Sequence, residues 1–144
     1  MEVSRIRALR GPNLWSRHTA IEAIVTCPAA ECTLSPAVEQ QLRRIFPEVG
    51  PIEGSRPGQI ASMAHALEKV TLGLQSQAGC PVTFSRTTPT EVPGTYQVAV
   101  EYTEESVGRL ALDLAEKLCQ AALTGQAFDL EAALAQLHEL DEDD

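Results

Sequence analysis

No apolar run in this chain approaches the roughly 20 residues that a membrane span requires. The N-terminus, Met1-Glu2-Val3-Ser4, also lacks the basic stretch and apolar core of a secretory signal peptide. These two absences lead to the expectation of a cytoplasmic protein with no membrane partner. Cysteine is sparse: Cys27, Cys32, Cys80 and Cys119 are scattered, and the pair five apart has no second close pair to complete a zinc site. In a cytoplasmic setting such thiols are expected to pack as small apolar groups, with neither a zinc ion nor a disulfide. Basic residues are few as well, and the formal net charge is −9. Residues 1–72 are nearly balanced, with eight Lys/Arg against seven Asp/Glu, whereas residues 73–144 carry three against thirteen. Without a basic face to neutralise phosphates, a nucleic-acid partner is excluded. The acidic half suits cationic groups such as arginine side chains.

What is present suits one domain. A length of 144 residues with 44% hydrophobic content is enough for a real core. Val3 to Leu9 and Thr19 to Thr26 read as strands, joined through a Gly11-Pro12-Asn13 turn beside the only tryptophan, Trp15. Ser35-Pro36 opens a helix that stops before Pro47, with serine as the cap and proline in the first turn. Three prolines and three glycines between Pro47 and Gly58 predict a loop. A long helix is then expected from Pro57 to Ala78, with Ile60, Met63, Ala64, Leu67, Val70, Thr71 and Leu74 as its apolar stripe. Pro81 to Arg86 is predicted as a strand and Thr87 to Gly94 as a connection. Tyr96 to Tyr102 alternates cleanly, with Tyr96, Val98, Val100 and Tyr102 on one face. A helix from Glu105 to Thr124 ends at Gly125, and a last one runs from Leu130 to Leu140. Paired strands followed by paired helices argue for an α+β fold: a small mixed or antiparallel sheet packed with helices, and a C-terminal helical pair.

Four segments carry a resemblance. Arg7-Ala8-Leu9-Arg10-Gly11-Pro12-Asn13-Leu14-Trp15-Ser16 resembles the opening of cyanophycin synthetases, bacterial enzymes that build a polymer with an aspartate backbone and arginine side groups. Phe84-Ser85-Arg86-Thr87 is similar to that family's aromatic-Gly-Arg-Thr segment, with serine where glycine is usual. Pro93-Gly94-Thr95-Tyr96-Gln97-Val98 looks like its Pro-Gly-x-Tyr-Gln-Val stretch, and Val107-Gly108-Arg109 with Leu118-Cys119-Gln120 also fits. The matched part is the family's N-terminal domain, which precedes an ATP-grasp and a Mur-ligase-like domain. The resemblance therefore implies a single N-terminal domain over residues 1–144, with the other domains of the same synthetase as partners and a homo-oligomer in the full-length context. The acidic end at Asp144 is expected to fall between domains. No Gly-x-x-x-x-Gly-Lys-Ser/Thr phosphate loop is present, and the length is too short for an ATP-grasp fold. No ligase activity is expected from this stretch alone, and no cofactor; ATP and magnesium belong to the absent domains of the ATP-dependent amino-acid ligase it resembles.

One constellation bears on chemistry. The long helix holds His65-Ala66-Leu67-Glu68-Lys69, where some family members read His-x-x-Glu-His, an inverted zinc-protease motif. Residues four apart share a helix face, so two histidines there bind one metal, and the adjacent glutamate acts as general base on its water. In the family such a site is associated with cutting the polymer internally to give primers. Here Lys69 stands in place of the second histidine, and an ammonium offers a metal no lone pair. Glu101 is the one candidate for a further ligand beside His65. The expectation is a degraded site, with His65 and Glu68 no longer catalytic, no zinc, and Glu68 and Lys69 pairing with neighbours. His18 and His138 read as solvated, and Ser85, Thr87 and Thr88 have no histidine nearby in sequence to activate a nucleophile.

Binding fits the remaining residues. The polymer displays repeated guanidinium and carboxylate groups. Carboxylates contact guanidinium in bidentate fashion, and Glu91, Glu101 and Glu104 lie in or beside the matching strand. Arg7, Arg10, Arg17 and Arg86 stand within or next to matching motifs, where they either contact polymer carboxylates or fix turns through backbone carbonyls. Weak contacts gain through multivalency, because a chain held at one place stays near distant active sites.

Overall fold

The computed structural model describes residues 1–9 and 19–143. Arg10, Arg17, His18, Trp15 and the Gly11-Pro12-Asn13 turn lie outside those residues. The element order is β1 (Glu2–Leu9), β2 (Ala20–Thr26), α1 (Pro36–Ile45), α2 (Met63–Gln77), β3 (Ser85–Pro89), β4 (Thr95–Glu101), α3 (Glu105–Thr124) and α4 (Leu130–Asp143). The four strands form one sheet in the order β1-β2-β4-β3, every pair antiparallel. This is the expected α+β fold. No helix among the described residues is long and apolar enough to cross a membrane.

Alternation along the strands sorts the sheet into two faces. Ile21, Ala23 and Val25 of β2 and Val98 and Val100 of β4 are buried against the helices. They join Leu67, Val70 and Leu74 of α2 and Val107, Ala111, Leu114 and Leu118 of α3 in one continuous core. The reverse face carries Arg7, Glu22, Ile24, Arg86, Thr88, Gln97, Ala99 and Glu101, as the cross-strand register requires. β1 is an edge strand, and its pairing with β2 slips between Ser4 and Arg7. Arg5 sits there with φ of 50°, a left-handed backbone that a side chain adopts only under strain.

α2 and β3 differ most from the sequence expectation. α2 begins at Met63, not Pro57, because the Ser62 hydroxyl accepts hydrogen bonds from the Ala64 and His65 amides and closes the helix start. Ile60, expected in the apolar stripe, is therefore on the preceding loop and 69% exposed. The third strand is Ser85–Pro89 and not Pro81–Arg86. The Glu101 carboxylate accepts from the Thr83 and Phe84 amides while its own amide donates to the Phe84 carbonyl, and residue pairing starts at Ser85 opposite Val100. The remaining caps follow the sequence: Ser35 accepts from Val38 N ahead of Pro36, and Gly125 ends α3 with φ of 71°. α4 continues past Leu140 to Asp143.

Candidate functional site

The first turn of α2 builds the site. Ser62 caps the helix, and three residues on, where glutamate or glutamine usually completes a capping box, stands His65. The Ser62 backbone N–H donates to His65 Nδ1 at 3.0 Å, and the Ser62 hydroxyl lies 2.8 Å from the same atom. Nδ1 is therefore an acceptor, and the ring proton resides on Nε2. Nε2–H donates to Ser55 Oγ at 2.7 Å, and the Ser55 hydroxyl donates in turn to the Thr87 carbonyl at 2.7 Å. The imidazole is 2% exposed and meets the Tyr96 ring edge-on, with centroids 5.6 Å apart. Burial lowers its pKa; the nearby Glu68 carboxylate opposes that shift and the Lys69 ammonium adds to it.

One turn further along, Glu68 is buried and accepts from Thr87 Oγ1 at 2.6 Å and from Ser85 Oγ. Ser85 and Thr87 are two apart on β3, so both hydroxyls point to the same side and reach one carboxylate. Lys69 Nζ completes the set, 3.4 Å from Glu68 Oε2. The result is a cleft of about 200 Å³ between α2, β3 and the loop before α2, lined by His65, Glu68, Lys69, Ser55, Glu53 and Arg86 among others. A larger hollow of about 690 Å³ is lined by residues 52–61 of that loop together with Leu34 and Glu39. It holds no ionisable pair in fixed geometry, so the smaller cleft is the better candidate for chemistry.

The residues present do not fit a metal. Both His65 nitrogens are engaged, and Lys69 adds a positive charge beside them. Glu101 does not join them: it lies on the reverse face, with Oε1 accepting from Thr83 N at 2.8 Å and Phe84 N at 3.0 Å. Among the described residues, no three His, Cys, Asp or Glu side chains are placed to hold an ion. Nor does Ser55 form a nucleophile–base pair with His65, because the hydroxyl proton goes to Thr87 and the facing nitrogen already carries its own.

The other sequence candidates are dispersed. Arg7 and Glu22 pair across β1 and β2, with both Nε and Nη2 at 2.8 Å from Glu22 Oε1. Arg86 is exposed on the reverse face and at the rim of the cleft. Glu91 is exposed at the β3–β4 turn, and Glu104 is exposed immediately before α3. Ser55 and Ser62 were not singled out from sequence. A Ser-x-x-His spacing ahead of an apolar helix is the one signal that points to Ser62; nothing local points to Ser55.

Comparison with known proteins gives one family. Residues 33–124 match the model of the cyanophycin synthase-like N-terminal domain. The cyanophycin synthetase of Geminocystis herdmanii is 31% identical over 97% of this chain and 18% of its own length. Those of Trichormus variabilis and a Nostoc species are each 36% identical over 84% of this chain and 15% of theirs. The chain thus spans less than a fifth of the relatives it matches.

Proposed function

This chain belongs to the cyanophycin synthase-like N-terminal domain family, and from that premise we propose that it is a non-catalytic module binding the growing Asp-Arg polymer for ATP-dependent ligase domains. The observation that carries the reading is one cross-strand row on the reverse face of the sheet. Arg7 pairs with Glu22, Glu22 with Ala99 and Ala99 with Arg86, so the row spans all four strands. At about 4.8 Å per strand, the two arginines sit about 14 Å apart with a carboxylate between them. Such alternation of sign suits a polymer whose side groups present both carboxylate and guanidinium. Arg86 makes no ion pair among the described residues, so its five donors are available to a ligand. Arg7 is already committed to Glu22 and contributes less.

Titration of soluble Asp-Arg segments against the chain, followed by amide NMR, tests the reading. Shifts on β3 and β4 around Arg86, weakened several-fold in Arg86→Ala, are the expected result. No shifts at millimolar polymer would sink it. Primer-generating hydrolysis at His65 is the weaker alternative, because both imidazole nitrogens are spent on serines. A third reading, a structural module that organises the oligomer through its helices, is favoured by no observation on the described residues.

A further inference from the structure

Ala99 is the smallest residue of the reverse-face row, and it stands between two long charged ones: Glu22 faces it from β2 and Arg86 from β3. The missing bulk leaves a pit of about 60 Å³, lined by Glu22, Arg86, Thr88, Gln97 and Phe84 among others. That is room for a small planar group and not for a whole amino acid. Glu22 is the unusual wall. It is only 6% exposed although it lies on the face turned away from the helices. Both Arg7 contacts, through Nε and Nη2, fall on Oε1. Oε2 has no hydrogen-bond donor among the described residues, and it is not sealed off, since the sealed unpartnered atoms there are Gln75 Oε1 and Tyr102 Oη. A mostly buried carboxylate with half of its acceptors unused has capacity for a donor from outside.

We propose that the Ala99 pit is a guanidinium subsite: it takes the guanidinium of one arginine side group, which donates to Glu22 Oε2, while Arg86 at the rim holds the carboxylate of the same group. The subsite rests on the polymer-binding reading above and gives it a polarity, guanidinium over Ala99 and carboxylate toward β3. Glu22 and Arg86 lie two strand spacings apart, about 10 Å at the backbone. Their own side chains close much of that span, so a single arginine reaches both.

The lining selects the group. Ala99 and Phe84 give the pit apolar walls, which suit the weakly hydrated faces of a planar guanidinium and not a strongly hydrated ammonium. A carboxylate in the same place would face Glu22 across the row. The Thr88 hydroxyl and the Gln97 amide oxygen supply further acceptors for a group that carries five N–H donors. Arg86, exposed and without an ion pair among the described residues, sets the second requirement. It repels a lone guanidinium, so the ligand that gains most brings its own carboxylate to meet it.

Titration of the intact chain with Nα-acetyl-L-arginine, followed by amide NMR, tests the subsite, because its acylated amine, carboxylate and guanidinium reproduce one side group. Shifts are expected at Glu22, Gln97 and Ala99. Nα-acetyl-L-citrulline, with a neutral urea in place of the guanidinium, should bind about tenfold more weakly, the worth of one charged hydrogen bond. Propylguanidinium, which lacks the carboxylate, should also bind more weakly. Ala99→Val fills the pit and keeps both charged walls, so it should lose the preference for acetyl-arginine over acetyl-citrulline. No shifts with acetyl-arginine at millimolar concentration, equal binding of the citrulline analogue to the native chain, or undiminished acetyl-arginine binding by Ala99→Val would each overturn the subsite. Asp-Arg segments that still bind in those cases leave the broader polymer reading standing, whereas acetyl-arginine held in the pit without any polymer binding would sink that reading alone. The citrulline comparison needs no variant, so the subsite stays decidable if a substitution fails to fold.

Discussion

Thr87 Oγ1 donates to Glu68 Oε1 across 2.6 Å and so fastens an edge strand to the central helix of the domain. Ser85 donates to the other oxygen. Truncating Glu68 leaves two hydroxyls in a pocket with no acceptor, and such orphaned donors cost about 1–3 kcal/mol each. Glu68→Ala is expected to lower unfolding stability by about 2–4 kcal/mol, and Glu68→Gln, which keeps one acceptor, by about half as much. Urea denaturation followed by circular dichroism distinguishes them. Equal losses in both variants would show that shape, rather than hydrogen bonding, sets the contact.

The start of α3 rests directly on the end of the sheet. A Cβ added at Gly108 would stand 2.7 Å from Tyr102 Cβ, closer than packed carbons approach. Gly108→Ala normally gains helix propensity, but overpacking costs about 1–3 kcal/mol. A fall in melting temperature is expected here, and a rise would show that Tyr102 gives way.

Thiol chemistry should be ordered by burial. Desolvation pushes the Cys119 thiol up to about 12 and Cys27 up to about 11, and it also raises Cys80. Thiolate is the reactive species, so these three are expected to resist a disulfide reagent at pH 7.5 in the folded state. Cys32, only partly buried, should label first, and Cys119 only on unfolding. Mass spectrometry of the labelled chain identifies the order.

Restoring the second histidine should not restore a metal centre. In Lys69→His the two histidines would share a helix face, yet His65 Nε2 still faces Ser55 and Nδ1 still accepts from Ser62. Cobalt(II) added to Lys69→His is expected to give no intense tetrahedral absorption, whereas Lys69→His with Ser55→Ala frees Nε2 and should bind more tightly. Strong binding by the single variant would mean that the ring turns easily out of its capping box.

Periodicity made much of this fold legible. The strict alternation of Tyr96 to Tyr102 marks β4, and Ser35-Pro36 and Gly125 mark helix ends whose chemistry is local. The strand expected at Pro81 to Arg86 is shifted to Ser85–Pro89, because Ser-Arg-Thr-Thr-Pro has no apolar period; its pairing with β4 and its hydroxyls on Glu68, seventeen and nineteen residues distant, are long-range contacts. The early start expected for α2 failed for a related reason. Ile60 continues the apolar stripe on paper, but Ser62, capping with His65 three residues on, starts the helix after it. His65, Glu68 and Lys69 were visible as a group, and the pairing of Glu68 with Lys69 follows from adjacency. Ser55 was not visible, because a loop serine ten residues from its partner carries no spacing signal.

The irregularity at Arg5 bears on how the domain would behave if, as proposed, several copies met on one polymer. A long charged chain gathers its binders at high local concentration, the condition under which bare sheet edges fuse into fibrils. β1 is such an edge, but the left-handed turn at Arg5 and the slipped register between Ser4 and Arg7 interrupt it midway. The opposite edge, β3, is five residues long and ends in Pro89, which has no amide proton to offer. Under the proposed polymer-binding role, neither edge offers a neighbouring copy a long, regular strand to pair with.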